Sequence, residues 1–109
     1  MKDLKIVRMK KVQIYDPALC CPTGLCGVNI DPELMRIAVV IETLKRKGIT
    51  IERYNLRDNP NVYIENKVVN KCLMDESADV LPVTLVDGEI AVKKAYPTNK
   101  QIAEWLDIN

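Results

Sequence analysis

Histidine is absent from this sequence of 109 residues. Histidine is the commonest general base and one of the commonest metal ligands near neutral pH, so its absence excludes serine–histidine and cysteine–histidine nucleophilic catalysis. Any metal site must therefore use thiolate or carboxylate groups. The sequence also shows no acid–base pair beside a binding loop, and we do not expect the protein to be an enzyme.

Long apolar runs and a strong charge of one sign are also lacking. No segment approaches the roughly 18–20 apolar residues of a membrane-spanning helix, and no signal-peptide pattern follows the N-terminus. We therefore expect a cytoplasmic protein without membrane insertion. Lysine and arginine number 16 against 15 aspartate and glutamate, a net charge of +1. The sequence has no basic excess and no helix-turn-helix, zinc-finger or basic recognition-helix pattern, so none of the usual signs of DNA binding is present.

The pattern of apolar, turn and capping residues predicts one domain over residues 11–109. Residues 1–10 are interpreted as an N-terminal extension or the start of the first strand. Helix starts are indicated by Asp31-Pro32 and by the capping-box pattern Thr98 to Gln101. The predicted strands are 11–15, 49–54, 83–86 and 89–92, and the predicted helices are 32–47, 60–75 with a break near Asn66, and a last helix opening after Thr98.

The resulting order, β-α-β-α-β-β-α, predicts an α/β protein with a thioredoxin-like fold and a central four-stranded mixed sheet. The first two strands, joined by a helix, should be parallel with a right-handed crossover. Asp87-Gly88 predicts a tight hairpin between the last two strands. Pro82 opens the third strand, and in this fold we expect it to be cis and to lie beside the cysteine loop.

Three of the four cysteines, Cys20, Cys21 and Cys26, fall within seven residues of a turn-rich segment. Their spacing, C-C-x4-C, matches neither paired zinc-ribbon motifs nor a redox C-x-x-C. A structural zinc site needs four ligands, and three thiolates would leave zinc with a net charge of −1. Trivalent arsenic or antimony would instead form a neutral complex, which is less costly to bury. Cu(I), which also prefers soft sulfur ligands, remains an alternative metal for this site.

The residues between these cysteines are candidates for shaping the loop. Pro22 biases Cys21 toward an extended conformation. Gly24 and Gly27 give the chain the freedom to bring Cys26 back toward the pair. Thr23 is interpreted as a loop hydroxyl and Asp16 as a turn residue, and neither is expected to be a ligand.

Disulfide chemistry is an alternative for the same cysteines. Neighbouring Cα atoms are about 3.8 Å apart, whereas disulfides usually span about 4.4–6.8 Å, so a bridge between Cys20 and Cys21 would be strained. A bridge from either residue to Cys26 is compatible with these limits, and a thiol redox protein therefore remains an alternative. Cys72 lies on the apolar stripe of a predicted helix and is interpreted as a packing residue.

Residues 15–27 (YDPALCCPTGLCG) closely resemble the signature of the ArsD family of arsenical resistance operons. Further matches are residues 48–55 (GITIERYN), Pro60, the segments 81–82 and 85–89, and residues 96–97. The resemblance covers nearly the whole chain after Met9. Some members carry further vicinal cysteine pairs, and none follows Cys72 in this sequence.

The resemblance implies a thioredoxin-like metallochaperone, often homodimeric, that acts in arsenical detoxification. It would take arsenite or antimonite from small cellular thiols and pass it to the arsenite-stimulated ATPase of an efflux pump. The metalloid would be cargo or inducer, with no organic cofactor, and the family's three binding cysteines map onto Cys20, Cys21 and Cys26. The family also implies an alternative, compatible role as a metalloid-responsive trans-acting repressor of its own operon, with operator DNA as a partner.

Overall fold

The computed structural model describes residues 10–18 and 31–107. In these parts the chain is a mixed α/β structure whose element order confirms the predicted one, with the second helical region divided in two. The elements are β1 (Val12–Asp16), α1 (Pro32–Arg46), β2 (Glu52–Asn55), α2 (Pro60–Glu65), α3 (Lys67–Glu76), β3 (Val83–Val86), β4 (Glu89–Lys93) and α4 (Asn99–Leu106), and a single 3-10 turn, Ala78–Val80, precedes β3.

Side-chain caps explain where the helices begin. The Asp31 carboxylate accepts a hydrogen bond from the backbone N–H of Glu33 at 2.9 Å, and Pro32 occupies the first turn of α1. Thr98 and Gln101 form the predicted reciprocal capping box of α4. Asn66 ends α2 in an extended conformation, and its side-chain oxygen accepts from the N–H groups of Val68 and Val69 to start α3. Each cap satisfies backbone donors that the first helical turn leaves without partners.

The sheet has the order β2-β1-β3-β4. β1 and β2 are parallel, as predicted, and both end at the same edge, where Asp16 lies beside Asn55. β3 is antiparallel to β1, with Val83 opposite Tyr15, and the β3–β4 hairpin turns through Asp87 and Gly88, both with positive φ. β1 reaches one residue further than predicted, and β2 begins at Glu52 rather than at residue 49.

Two apolar clusters lie on opposite faces of the sheet. One is formed with α2 and α3 and the other with α1 and α4. The first contains Tyr15, Tyr63, Val69, Cys72, Val80, Leu81, Val83 and Leu85, and the second contains Val12, Ile14, Ile37, Leu44, Ile51, Ile102 and Leu106. Val68 of α3, next to the buried Val69, is 37% exposed. Within the described ranges, no helix combines the length and apolar character needed to cross a membrane.

Candidate functional site

Residues 17–27, which include Cys20, Cys21 and Cys26 and are called the cysteine segment below, directly follow β1 in the chain. β1 ends at the edge of the sheet where both parallel strands end. Ligands of open α/β sheets commonly bind outside these carboxyl ends. The predicted metal ligands Cys20, Cys21 and Cys26, together with the loop-supporting candidates Pro22, Thr23, Gly24 and Gly27, lie outside the described residues. Their roles therefore remain predictions. The structure describes the base of the segment on its β1 side.

Asp16 is the last residue of β1, and its interpretation as a turn residue is wrong. Its side chain is only 1% exposed and forms an ion pair with Arg53 of β2, with Nε and Oδ2 separated by 2.6 Å. A second guanidinium nitrogen, Nη2, lies 3.4 Å from Oδ1. The hydroxyl of Tyr96 also donates a hydrogen bond to Oδ1. A buried carboxylate needs such charge-assisted partners because burial removes its hydration.

The backbone at the same position is held from the opposite face. The hydroxyl of Tyr63, on α2, lies 2.5 Å from the carbonyl oxygen of Asp16 and 2.8 Å from that of Tyr54. These two carbonyls belong to the adjacent parallel strands β1 and β2. Tyr63 therefore connects α2 to both strand ends, directly before the chain leaves β1 for the cysteine segment.

Both phenols that contact Asp16 are held in the neutral form. Burial raises the pKa of Tyr63 far above its ordinary value, and the nearby Asp16 carboxylate raises it further. Burial and the hydrogen bond to Asp16 likewise raise the pKa of Tyr96. A neutral phenol keeps the proton that it donates, so both contacts persist across the physiological pH range.

Pro82 is cis, as predicted, and lies next to this position across the sheet. Val83, the next residue, pairs with Tyr15, the residue before Asp16. Pro82 therefore adjoins the end of β1, and its support of the cysteine loop stays a prediction. An open cavity of about 420 Å³ lies on the α1 side of the same edge and is lined by residues that include Asp16, Ala38, Ile41, Arg53 and Asn55. It provides space beside the base of the segment.

Cys72, the one cysteine that the described ranges contain, packs in the α2–α3 cluster. It is a free thiol with 7% exposure, which agrees with its predicted packing role. In residues 10–18 and 31–107, no group of three or more histidine, cysteine, aspartate or glutamate side chains could hold a metal ion. The sequence-predicted ligands lie outside those ranges.

Arg53, Tyr63 and Tyr96 are the contacts of Asp16 that the sequence alone did not indicate. Two of them come from β2 and α2, and Tyr96 comes from the connection between β4 and α4. They lie 37, 47 and 80 residues from Asp16 along the chain. The only indication in the sequence that Asp16 is buried was weak, because an Asp-Pro pair after a strand favours a turn as readily as a buried strand end.

The fold and the sequence together define a small mixed α/β protein with a four-stranded mixed sheet, in which a cysteine-rich segment follows the first strand. Its sequence matches the family described as "Arsenical resistance operon protein ArsD" over residues 9–109. The chain therefore belongs to the ArsD family.

Similarity to individual proteins supports the same family assignment. An Escherichia coli protein named "Arsenical resistance operon trans-acting repressor ArsD" is 38% identical over 100 residues, which cover 92% of this chain and 83% of the relative. A second Escherichia coli protein of that name is 36% identical with the same coverage. The crystal structure of an arsenical resistance operon trans-acting repressor from Bacteroides vulgatus is 65% identical. It superposes with a TM-score of 0.89 over 93% of this chain and 95% of that one. These relatives are named as repressors rather than as enzymes.

Proposed function

We propose that this protein captures trivalent arsenic or antimony through Cys20, Cys21 and Cys26 and delivers it to the arsenite-stimulated ATPase of an efflux pump. The observation that carries the proposal is the C-C-x4-C segment, which starts four residues beyond the buried end of β1 in a chain of an arsenical resistance family. Three thiolates within a short segment supply the number and softness of ligands that a trivalent metalloid needs.

The capture reaction balances without an oxidant or reductant. Arsenite is the uncharged trihydroxide near neutral pH, and each cysteine thiol replaces one hydroxide. The thiol proton and the hydroxide leave together as water, and three As–S bonds form. From a complex with small thiols, each protein thiol displaces one donor, which departs with the proton. The metalloid stays trivalent and the bound complex is neutral, which limits the cost of partial burial.

Delivery would proceed by the same exchange. A thiol of the ATPase attacks the bound metalloid, takes one As–S bond and returns a proton to the released cysteine of this protein. Three successive exchanges transfer the cargo without releasing it to water. The mechanism needs no general base, in keeping with a sequence that contains no histidine.

Mass spectrometry of the reduced protein under native conditions tests the capture step. We expect one arsenic per chain with the loss of three thiol protons. Separate Cys20→Ser, Cys21→Ser and Cys26→Ser variants should each weaken binding, whereas Cys72→Ala, the control, should bind like the wild type. Binding that survives the loss of every loop cysteine in turn, or a preference for zinc, would overturn the proposal and favour a repressor or a thiol redox protein.

A second role, as a metalloid-responsive repressor of an arsenical resistance operon, is favoured by the names of the relatives. We propose that it uses the same cysteines as the sensor and acts as a homodimer on operator DNA. Fluorescence anisotropy with a labelled operator fragment tests this role. Binding that arsenite weakens in the wild type but not in Cys20→Ser supports it, and no preference for operator over unrelated DNA contradicts it.

A further inference from the structure

The end of a β-strand does not require a buried network of charged and polar side chains, yet Asp16 is at the centre of one. Arg53 and Tyr96 share one carboxylate, and the side chain of Arg53 is itself only 13% exposed. The Arg53 guanidinium carbon also lies 5.9 Å from the centre of the Tyr96 ring. The three side chains thus form one packed unit, which we call the Asp16 cluster.

Three separate parts of the chain converge on this residue. Arg53 reaches the carboxylate from β2, Tyr96 reaches it from the β4–α4 connection, and Tyr63 reaches the backbone carbonyl from α2. Side-chain and main-chain atoms of Asp16 are both held. The last residue of β1 is therefore held by contacts that are distant in sequence.

Stability alone is a weak reason for this arrangement. A buried ion pair must recover the hydration that both charges lose, and apolar residues of similar size often stabilise a fold equally well. What a buried network of this kind supplies is a defined geometry, because its hydrogen bonds are satisfied in one arrangement. That geometry is located where the cysteine segment begins.

We propose that Asp16, held by Arg53 and Tyr96, is a positioning residue for the metalloid site, an inference that rests on the proposed function. Cys20 follows Asp16 by four residues, so its Cα lies within about 14 Å even in an extended chain. Gathering three thiols around one centre costs conformational entropy. A fixed starting point lowers that cost, as preorganisation does in other binding sites.

Tyr96→Phe tests the proposal, because it removes only the hydroxyl that contacts Asp16. Tyr54→Phe is the matched control: its hydroxyl also donates to a carboxylate of the sheet, Glu52, at 2.7 Å. We expect similar decreases in melting temperature for the two variants. The dissociation constant for arsenite should rise about tenfold in Tyr96→Phe only, the effect of losing part of one charge-assisted hydrogen bond. Both variants should still bind one arsenic.

A second variant, Asp16→Asn, removes the charge and keeps the shape, and it should weaken arsenite binding at least as much as Tyr96→Phe. An unchanged dissociation constant in the folded Tyr96→Phe and Asp16→Asn proteins would overturn the positioning role. An equal rise in Tyr54→Phe would do the same, because it would indicate a general effect of stability. Failure of the proposed function is distinguishable, since the wild type would then show no cysteine-dependent binding.

Discussion

The ring of Tyr63 meets the ring of Tyr15 edge-on, with centroids 5.2 Å apart and planes inclined by 88°. Tyr63 is on α2 and Tyr15 is the residue of β1 that precedes Asp16. The ring contact holds α2 against the central part of the sheet, and the Tyr63 hydroxyl then reaches the carbonyl of Asp16. One side chain thus joins the core to the base of the cysteine segment.

Shortening Tyr63 in two steps should separate these contributions. Tyr63→Phe keeps the ring and loses the hydroxyl, so we expect the free energy of unfolding to fall by about 1–3 kcal/mol. Tyr63→Ala also loses the buried ring and leaves a cavity, with an expected fall of about 3–5 kcal/mol. Urea unfolding followed by circular dichroism measures both changes. Equal losses in the two variants would contradict the role of ring packing.

The Asp16–Arg53 pair should show strong coupling in a double-mutant cycle. Arg53→Met leaves the buried Asp16 carboxylate without its cation, and we expect a loss of about 3–5 kcal/mol in the free energy of unfolding. Adding Asp16→Asn removes the uncompensated charge and should recover part of that loss. Chemical unfolding of the wild type, both single variants and the double variant gives the coupling energy. Additive losses would show that the two side chains do not depend on each other.

Stability should decrease at alkaline pH. The hydrogen bond from Tyr54 to Glu52, with burial, raises the pKa of Tyr54 to about 12, and the pKa values of Tyr63 and Tyr96 are also raised. An unfolded tyrosine has a pKa of about 10. Between that pH and the raised pKa values, the folded protein binds more protons than the unfolded chain, so its stability falls as the pH rises.

Urea unfolding between pH 8 and pH 12 measures this dependence. Tyr96→Phe and Tyr54→Phe should each show a smaller fall in stability than the wild type, because each removes one group that titrates differently in the two states. A wild-type profile that these substitutions leave unchanged would contradict the assignment.

Ser77 has an unfavourable backbone conformation, with φ 64° and ψ −175°, between α3 and the 3-10 turn. This region is essentially restricted to glycine and costs other residues about 1–3 kcal/mol. Ser77→Gly should therefore raise the free energy of unfolding by about 1 kcal/mol, although it increases the freedom of the unfolded chain. Ala78→Gly, at the neighbouring exposed position, should lower it. Thermal unfolding of the pair measures both signs, and a destabilised Ser77→Gly protein would contradict the strain.

The parts of the fold that local sequence specifies were predictable. Asp31-Pro32, Asn66 and Thr98 act through hydrogen bonds within their own helical turns, so the helix starts and the break could be predicted from neighbouring residues. The burial of Asp16 could not, because its partners are brought to it by the tertiary fold. The start of β2 was predicted three residues early, since the β-branched residues at 49–51 (Ile-Thr-Ile) fit a strand as well as the approach to one.

The break at Asn66 also sets the rotational phase of two helices. Tyr63 and Cys72 are nine residues apart, and in an unbroken α-helix nine steps of about 100° would amount to about two and a half turns. The two side chains would then point in opposite directions. Both are buried in the same apolar cluster because the extended conformation of Asn66 interrupts the helix. The side chains of α3 therefore do not continue the rotation about the axis that α2 begins. A continuous helix over this region would bury Cys72 only by turning the Tyr63 hydroxyl away from Asp16.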